Sequence, residues 1–152
     1  MERADLETTS AAATEALAES VGRALAPGDI VLIAGEVGTG KTTFVRGACR
    51  ALGVTDRVTS PSFTIGQAYA GHVPVAHVDL FRLEDMGSED PALLADYITP
   101  ERVAFVEWPG VGLPWIERDR VVLELELAHA GDDRRRLRAS GRSNLIDALR
   151  AP

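Results

Sequence analysis

Hydrophobic residues recur along the chain with two spacings, one typical of helices and one of strands. In the alanine-rich stretch 9–25, apolar side chains return every four positions after a Thr/Ser cap, which predicts an amphipathic helix. The continuous apolar run 30–34 predicts a strand buried on both faces. Residues 42–52 return to helical spacing, and Gly53 stands where a left-handed C-terminal cap belongs. The first third of the chain is therefore predicted to run helix, strand, helix.

The remainder of the chain is dominated by strand patterns. Four segments carry them: residues 63–69, 73–80, 103–106 and 121–127. The first two are joined by a Gly71-His72 turn and predict a hairpin. Asp90-Pro91 is typical of the N-cap and first residue of a helix. Apolar and acidic residues alternate strictly in 121–127, which favours a half-exposed strand, interpreted as one at a sheet edge.

These alternating helices and buried strands predict one α/β domain spanning residues 1–152. Its sheet is expected to be mostly parallel, with one or two antiparallel strands. A chain of 152 residues, 45% apolar and 26% charged, is long enough to bury a single core. No apolar run approaches the length of a membrane span, and the acidic N-terminus lacks the features of a secretory signal. We therefore expect a cytoplasmic protein with no membrane partner.

Charge and cysteine content narrow the classes of function further. The net charge is −7, which argues against a protein that neutralises nucleic-acid phosphates with its own surface. If the protein acts near RNA, a partner is expected to hold that RNA. The single cysteine, Cys49, cannot form an internal disulfide and lies in a helical pattern, where a small core residue is the expected role.

Residues 35–42 carry the strongest chemical signal. They match the phosphate-binding pattern G-x-x-x-x-G-K-[ST] and lie between a predicted strand and a predicted helix. Glycine permits the backbone angles that turn successive N–H groups towards anionic phosphates, and the helix N-terminus adds a positive dipole. Lys41 is expected to bridge the β- and γ-phosphates, the Thr42 hydroxyl to bind Mg²⁺, and Thr43 to lie near the α-phosphate. The predicted ligand is a nucleoside triphosphate.

Two acids end predicted buried strands, where a P-loop protein needs a carboxylate to hold the metal or to place the attacking water. They are Asp79 and Glu107. Trp108 follows directly, and two roles stay open for it: stacking on adenine or packing in the core. The second tryptophan, Trp115, is expected in the core.

Two further features have open interpretations. His77 lies two residues before the first of these acids, and either a general base or a hydrogen-bonded structural histidine fits it. The arginine cluster at 134–138 either contacts phosphate, RNA or a partner, or forms a solvated strand end. The acidic segment 84–90 is interpreted as a solvated surface, with a docking site as the alternative.

Four sequence blocks together resemble the bacterial TsaE (YjeE) family, the small ATPases of tRNA N6-threonylcarbamoyladenosine biosynthesis. They are GEVGTGKTTF at 35–44, SPSFT at 60–64, HVDLFRL at 77–83 and VEWP at 106–109. The last two blocks are far more selective than the P-loop alone. Phe81 stands where the family usually has tyrosine, so a hydrogen bond made there by other members is not expected.

The resemblance implies a three-layer α/β P-loop NTPase fold with a mixed, mostly parallel central sheet, and a weak ATPase that uses ATP and Mg²⁺. It implies ATP binding by Gly38, Thr39, Gly40, Lys41, Thr42 and Thr43. It also implies Mg²⁺ coordination by Thr42 and Glu107, and catalysis by Lys41, Asp79 and Glu107.

The same resemblance extends to a loop, a base contact and a set of partners. Trp108 is implied to lie against the nucleotide base. The segment from Ser60 to Thr64 is implied to be a switch-like loop that responds to the γ-phosphate. The implied partner is the two-subunit TsaB–TsaD complex, and tRNA is expected to be contacted only through that complex.

Two other classes of function use the same loop. A small-molecule kinase would transfer the γ-phosphate to an acceptor, but kinases of this size usually carry an arginine-rich lid, and here the arginines cluster near the C-terminus. A nucleotide-dependent binding module would need no turnover. Product analysis separates the ATPase from the kinase, and substitution of the two acids separates the ATPase from the binding module.

Overall fold

The computed structural model describes residues 1–60, 65–81 and 92–151, and within them seven strands form one sheet flanked by helices. The strands are β1 (Glu2–Thr8), β2 (Ile30–Gly35), β3 (Gly66–Tyr69), β4 (Val75–Asp79), β5 (Val103–Glu107), β6 (Val121–His129) and β7 (Arg135–Gly141). The helices are α1 (Ala11–Gly22), α2 (Lys41–Ala51), α3 (Ala92–Tyr97) and α4 (Ser143–Arg150), with 3-10 turns at Gly110–Trp115 and Arg118–Arg120.

The strand order across the sheet is β1-β7-β6-β2-β5-β4-β3. Strands β6, β2, β5 and β4 are parallel neighbours, whereas β7 runs antiparallel to β6 and β1, and β3 runs antiparallel to β4. Of the seven described strands, five therefore point one way, which confirms the predicted mixed, mostly parallel sheet. The carboxyl ends of β2, β4 and β5 meet at one edge, where open α/β sheets bind ligands.

Helices cover both faces of the sheet and give three layers. On one face α1, α2 and α4 bury the larger core, which includes Phe44 and Phe105. On the other face Leu94 of α3 and Ile116 join a smaller apolar cluster. Cys49 lies in the larger core, and its burial raises the pKa of the thiol to about 12. The thiol is therefore a core group, as expected.

Helices α1 and α2 approach each other closely because a glycine stands at their contact. A Cβ atom at Gly47 would lie only 2.4 Å from the carbonyl oxygen of Glu15. Beside this contact, Arg50 forms ion pairs with Glu15 and Glu19 at 3.1 and 2.5 Å. Exposed ion pairs stabilise little, so the close backbone packing is what fixes the position of α2 against α1.

The helix and strand predictions for the first 107 residues are confirmed to within a few positions. Ser10 caps α1, because its side chain accepts a hydrogen bond from the Ala13 N–H at 3.1 Å. Gly53 follows α2 in a left-handed conformation, with φ of +83°. Strands β3 and β4 form the predicted hairpin. Residues 63 and 64 of the predicted strand 63–69, and the predicted helix start Asp90-Pro91, lie outside the described residues.

Strand β6 is not an edge strand, which corrects the expectation for residues 121–127. It pairs with β2 on one side and β7 on the other. Leu123, Leu125 and Leu127 are buried under the helices, whereas Glu124 and Glu126 point to the opposite face, which is partly open to solvent. The alternation thus arises because helices cover only one face of this interior strand.

The sequence patterns do not predict β1, β7 or α4. Both strands carry many charged residues, and a short apolar/polar alternation is a weak signal for a strand when one of its faces is exposed to solvent. Leu6 of β1 pairs with Leu137 of β7 on the buried face. On the exposed face Arg136 donates to both carboxylate oxygens of Asp5, at 3.0 and 2.7 Å. Most of the arginine cluster 134–138 therefore belongs to a paired strand.

None of the helices in the described part of the chain is long and apolar enough to cross a membrane.

The close contact between α1 and α2 predicts that adding one methyl group at Gly47 destabilises the fold. Gly47→Ala should lower the free energy of unfolding by about 1–3 kcal/mol, because the added Cβ overpacks the helix interface and outweighs the better helix propensity of alanine. Urea denaturation at an unchanged m-value measures it. Gly110→Ala is the matched control, since nothing lies within 4 Å of a Cβ there. Equal stability of the two variants would contradict the role assigned to Gly47.

Candidate nucleotide-binding site

The loop between β2 and α2 wraps around the start of the helix. Gly35 has φ of +146°, and a Cβ there would lie 2.5 Å from the Leu127 carbonyl oxygen on β6. Gly40 is the N-cap of α2, with φ of +96°. No side chain within the described residues caps this helix. Its first-turn N–H groups therefore point into the loop, as a phosphate site requires.

Lys41 is buried beneath the loop that precedes it. Its ammonium donates hydrogen bonds to the carbonyl oxygens of Gly35, at 2.7 Å, and Glu36, at 2.9 Å. Burial lowers the pKa of Lys41, and the nearby carboxylates of Glu107 and Asp79 oppose that change. The lysine thus closes the loop from inside, with its charge facing two acids.

The remaining residues named from the sequence belong to the loop and to the first turn of α2. Thr39 is 1% exposed, and its hydroxyl donates to the Glu36 carbonyl oxygen at 2.7 Å. Gly38 forms the left-handed bend of the loop, with φ of +81°. Thr43 lies in the first turn of α2. The loop conformation is therefore held by its own hydrogen bonds.

The parallel register of β4 and β5 brings the two predicted acids together. Asp79 pairs with Glu107 across the strands, and both carboxylates lie at the carboxyl edge of the sheet. The Asp79 carboxylate accepts a hydrogen bond from the Phe81 N–H at 2.9 Å. Burial raises the pKa of Asp79, and the neighbouring Glu107 carboxylate adds to that increase.

Glu107 reaches the first turn of α2 and is almost completely buried. It is 2% exposed, and its Oε2 accepts a hydrogen bond from the Thr42 hydroxyl at 3.0 Å. The same hydroxyl lies 2.8 Å from the Ser60 Oγ. On its other side, the Glu107 Oε2 lies 2.5 Å from Nε2 of the buried His77. A continuous chain of polar groups thus runs from β4 through β5 and α2 to residue 60.

Trp108 adopts a left-handed backbone conformation, with φ of +54°. Its ring packs against Phe81 at 4.8 Å between centroids, and its centroid lies 4.4 Å from the Lys41 ammonium. The side chain is half-buried. Trp108 therefore does not pack in the core. Trp115 does not either, because it is 47% exposed in a 3-10 turn, which corrects the expectation of a core position.

Two residues that the sequence did not assign to the site contact the tip of the loop. His129 Nε2 lies 3.4 Å from the Val37 carbonyl oxygen, and Arg135 donates to the Gly38 carbonyl oxygen at 3.3 Å. Both come from the ends of β6 and β7. The arginine cluster at 134–138 includes Arg135 without singling it out, and no sequence pattern indicates His129.

The donor set fits Mg²⁺ held together with phosphates. An octahedral Mg²⁺ with ligands at about 2.1 Å places neighbouring ligand oxygens about 3.0 Å apart. The Thr42 hydroxyl and the Glu107 carboxylate have this separation. Within the described residues no group of three or more His, Cys, Asp or Glu side chains could hold a metal ion. Mg²⁺ typically binds through one or two protein oxygens together with phosphates and water, and Thr42 and Glu107 supply two such oxygens.

The sheet order, the glycine-rich turn at the carboxyl end of β2 and the uncapped helix N-terminus define a P-loop protein, a class whose fold implies nucleotide binding.

Known proteins agree with this class and narrow it. The family model described as threonylcarbamoyl adenosine biosynthesis protein TsaE matches residues 8–137. A tRNA threonylcarbamoyladenosine biosynthesis protein TsaE from Bacillus subtilis is 34% identical over 150 residues, covering 98% of this chain and 92% of the relative. One from Streptomyces coelicolor is 35% identical over 115 residues, covering 74% and 78%.

A solved structure is similar over nearly the whole chain. The crystal structure of Bacillus subtilis YdiB superposes with a TM-score of 0.77 at 26% identity, covering 98% of this chain and 93% of that one. The chain belongs to the TsaE family. Members of this family take part in the biosynthesis of threonylcarbamoyladenosine in tRNA.

Proposed function

We propose that the protein is a Mg²⁺-dependent ATPase that supports tRNA N6-threonylcarbamoyladenosine modification by binding the TsaB–TsaD complex. One observation carries the proposal. The Thr42 hydroxyl and the buried Glu107 carboxylate lie 3.0 Å apart, and Thr42 directly follows Lys41 in the first turn of α2, at the carboxyl edge of a mostly parallel sheet. This is the arrangement of charge that a metal-bound triphosphate needs.

In this proposal the loop binds ATP through its backbone N–H groups and a few side chains. The binding residues are Gly38, Thr39, Gly40, Lys41, Thr42 and Thr43. The Lys41 ammonium, already held by two loop carbonyl groups, contacts the β- and γ-phosphates. Thr39 keeps the loop in shape from within, because its hydroxyl is bonded to the loop itself.

Thr42 and Glu107 hold the metal, and Asp79 orients the attacking water. Bound Mg²⁺ neutralises the charge that develops on the β- and γ-phosphates. Asp79 lies beside Glu107 in the strand register, so its carboxylate can accept a hydrogen bond from water near the γ-phosphate. Lys41 completes the catalytic set, because its charge stabilises the phosphates in the transition state.

Trp108 is proposed to contact the phosphate end of the nucleotide and not the base. Its ring lies beside the Lys41 ammonium, which binds phosphates, so the ring would have to move to reach an adenine. The packing of Phe81 against Trp108 supports this position. The family resemblance implies a base contact for Trp108, and a contact near the γ-phosphate is proposed in its place.

The segment from Ser60 to Thr64 is proposed to respond to the γ-phosphate. The Ser60 Oγ lies 2.8 Å from the Thr42 hydroxyl, so metal binding by Thr42 changes a hydrogen bond of this segment directly. Thr64 lies outside the described residues. The nucleotide state would reach a partner through this segment.

Contact with tRNA is proposed to go through TsaB–TsaD, in the cytoplasm. A net charge of −7 opposes direct binding to an RNA backbone. The names of the relatives assign them to tRNA threonylcarbamoyladenosine biosynthesis, which supports a shared pathway.

Substitution of the metal-binding carboxylate should separate ATP turnover from folding. Glu107→Gln and Lys41→Ala should each lower Mg²⁺-dependent ATP hydrolysis by about 100-fold or more, since each removes a charge aimed at the phosphates. Phosphate release is measured for the protein alone and with TsaB–TsaD and tRNA. Glu101→Gln is the matched control, because Glu101 is exposed just before β5 begins, at the opposite end of that strand from Glu107.

Other outcomes point to the competing functions. A phosphorylated acceptor in place of free phosphate would identify a kinase. Full tRNA modification by Glu107→Gln, without turnover, would identify a nucleotide-dependent binding module. Hydrolysis unaffected by Lys41→Ala would remove the proposal altogether.

Fluorescence of Trp108 should distinguish the phosphate end of the nucleotide from the base. The sequence has two tryptophans, so Trp115→Phe leaves Trp108 as the only one. With Mg²⁺, a non-hydrolysable ATP analogue should change its emission more than ADP does, and adenosine should change it least. Equal changes in Trp108 emission with the ATP analogue and with ADP would contradict a contact near the γ-phosphate and support a contact with the base.

A further inference from the structure

His77 is a polar residue in the middle of an apolar strand. Its side chain is 0% exposed, and its Nε2 lies 2.5 Å from the Glu107 Oε2. In the parallel register His77 is opposite Phe105, so Glu107 is two residues further along the same face of the sheet. The contact is therefore a cross-strand diagonal, fixed by the pairing of β4 and β5.

The two ring nitrogens of His77 have different surroundings. Nε2 lies against the Glu107 carboxylate, and a proton on Nε2 donates to it. Nδ1 is buried and has no hydrogen-bond partner within the described residues. A buried polar atom without a partner is costly, and packing alone does not call for it. The ring is placed by its contact with Glu107.

The Glu107 carboxylate also accepts a hydrogen bond from a residue of the candidate nucleotide-binding site. Thr42 donates to the same Oε2, and the Thr42 hydroxyl also lies against Ser60. When the Thr42 hydroxyl binds a cation, its hydrogen bonds must rearrange, whereas His77 lies within a buried strand. A carboxylate oxygen has two lone-pair directions, so Oε2 can keep the His77 hydrogen bond throughout.

We propose that His77 is a positioning residue, which fixes the Glu107 carboxylate in the orientation that binds the divalent cation. The inference rests on the proposed function, because it needs Glu107 to be a metal ligand. Hydrogen-bond partners of metal ligands typically change metal affinity by about 10–100-fold when they are removed. His77 does not contact nucleotide in this scheme, so its effect should be specific to the metal.

The experiment measures Mn²⁺ binding, because Mn²⁺ shares the oxygen-ligand preference of Mg²⁺ and is paramagnetic. Electron paramagnetic resonance follows the loss of free Mn²⁺ signal in the presence of ADP. His77→Leu should raise the dissociation constant for Mn²⁺ about 10–100-fold. Affinity for ADP measured in EDTA should not change. His77→Gln should restore most of the Mn²⁺ affinity, because its amide N–H can replace Nε2–H.

Two controls separate a positioning role from a structural one. His72→Leu makes the same change at an exposed histidine on the turn between β3 and β4. Circular dichroism checks folding, and if His77→Leu does not fold, His77→Met serves as the apolar variant with a more adaptable side chain. A purely structural histidine predicts equal Mn²⁺ affinity for the glutamine and the apolar variant, or a matching loss of metal-free ADP affinity.

The outcomes distinguish this inference from the function on which it rests. If the unmodified protein binds ADP and Mn²⁺ together, and a folded apolar variant binds Mn²⁺ equally well, His77 has no positioning role and the proposed ATPase is unaffected. If the unmodified protein binds no Mn²⁺ with ADP, the metal site fails, and the role of His77 fails with it.

Discussion

The site depends on the burial of one carboxylate. Glu107 is 2% exposed, and removing a charged carboxylate from water costs several kcal/mol unless hydrogen bonds or a cation replace the lost hydration. His77 and Thr42 supply hydrogen bonds from two different layers of the fold. The His77 hydrogen bond requires β4 to pair with β5. The Thr42 hydrogen bond requires the first turn of α2 to lie next to the end of β5. A change that separates these elements therefore leaves a charge uncompensated.

The backbone beyond the strand ends holds the surrounding groups as firmly as the strands do. The Trp108 N–H donates to the Ile33 carbonyl oxygen at 3.0 Å, and the Leu80 N–H donates to the Glu107 carbonyl oxygen at 3.1 Å. The sheet pairing thus continues one residue past β4 and β5. Because of this, the left-handed turn at Trp108 starts from a fixed point and directs the indole towards Lys41. Preorganised charge and shape at such an edge are what phosphoryl chemistry requires.

Local sequence patterns were sufficient to predict the loop, the two acids and the layered fold. They were insufficient to predict contacts and positions that depend on how distant segments pack together. The glycine spacing around Lys41 and the acids that end β4 and β5 are short-range signals, so the loop, both carboxylates and the layered fold could be predicted. The partner of His77 depends on strand register, which one sequence does not contain. Trp115 was misjudged because an average preference for burial was applied to one side chain. The prediction of an edge strand for β6 was wrong because alternating apolar and polar residues indicate that one face of a strand is exposed to solvent. They do not indicate whether other strands pair with it on both sides.

The first described strand, β1, pairs with the last, β7, and this has a consequence for synthesis. Glu2–Thr8 is hydrogen-bonded only to Arg135–Gly141 within the described sheet, so the two partners are separated by almost the whole chain. A ribosome releases β1 long before its partner exists, and the backbone amide groups of β1 stay unpaired until Arg135–Gly141 has been synthesised. Such distant pairing slows folding, because a large loop must close first. Charged side chains disfavour pairing with a wrong strand edge, and β1 carries Glu2, Arg3, Asp5 and Glu7.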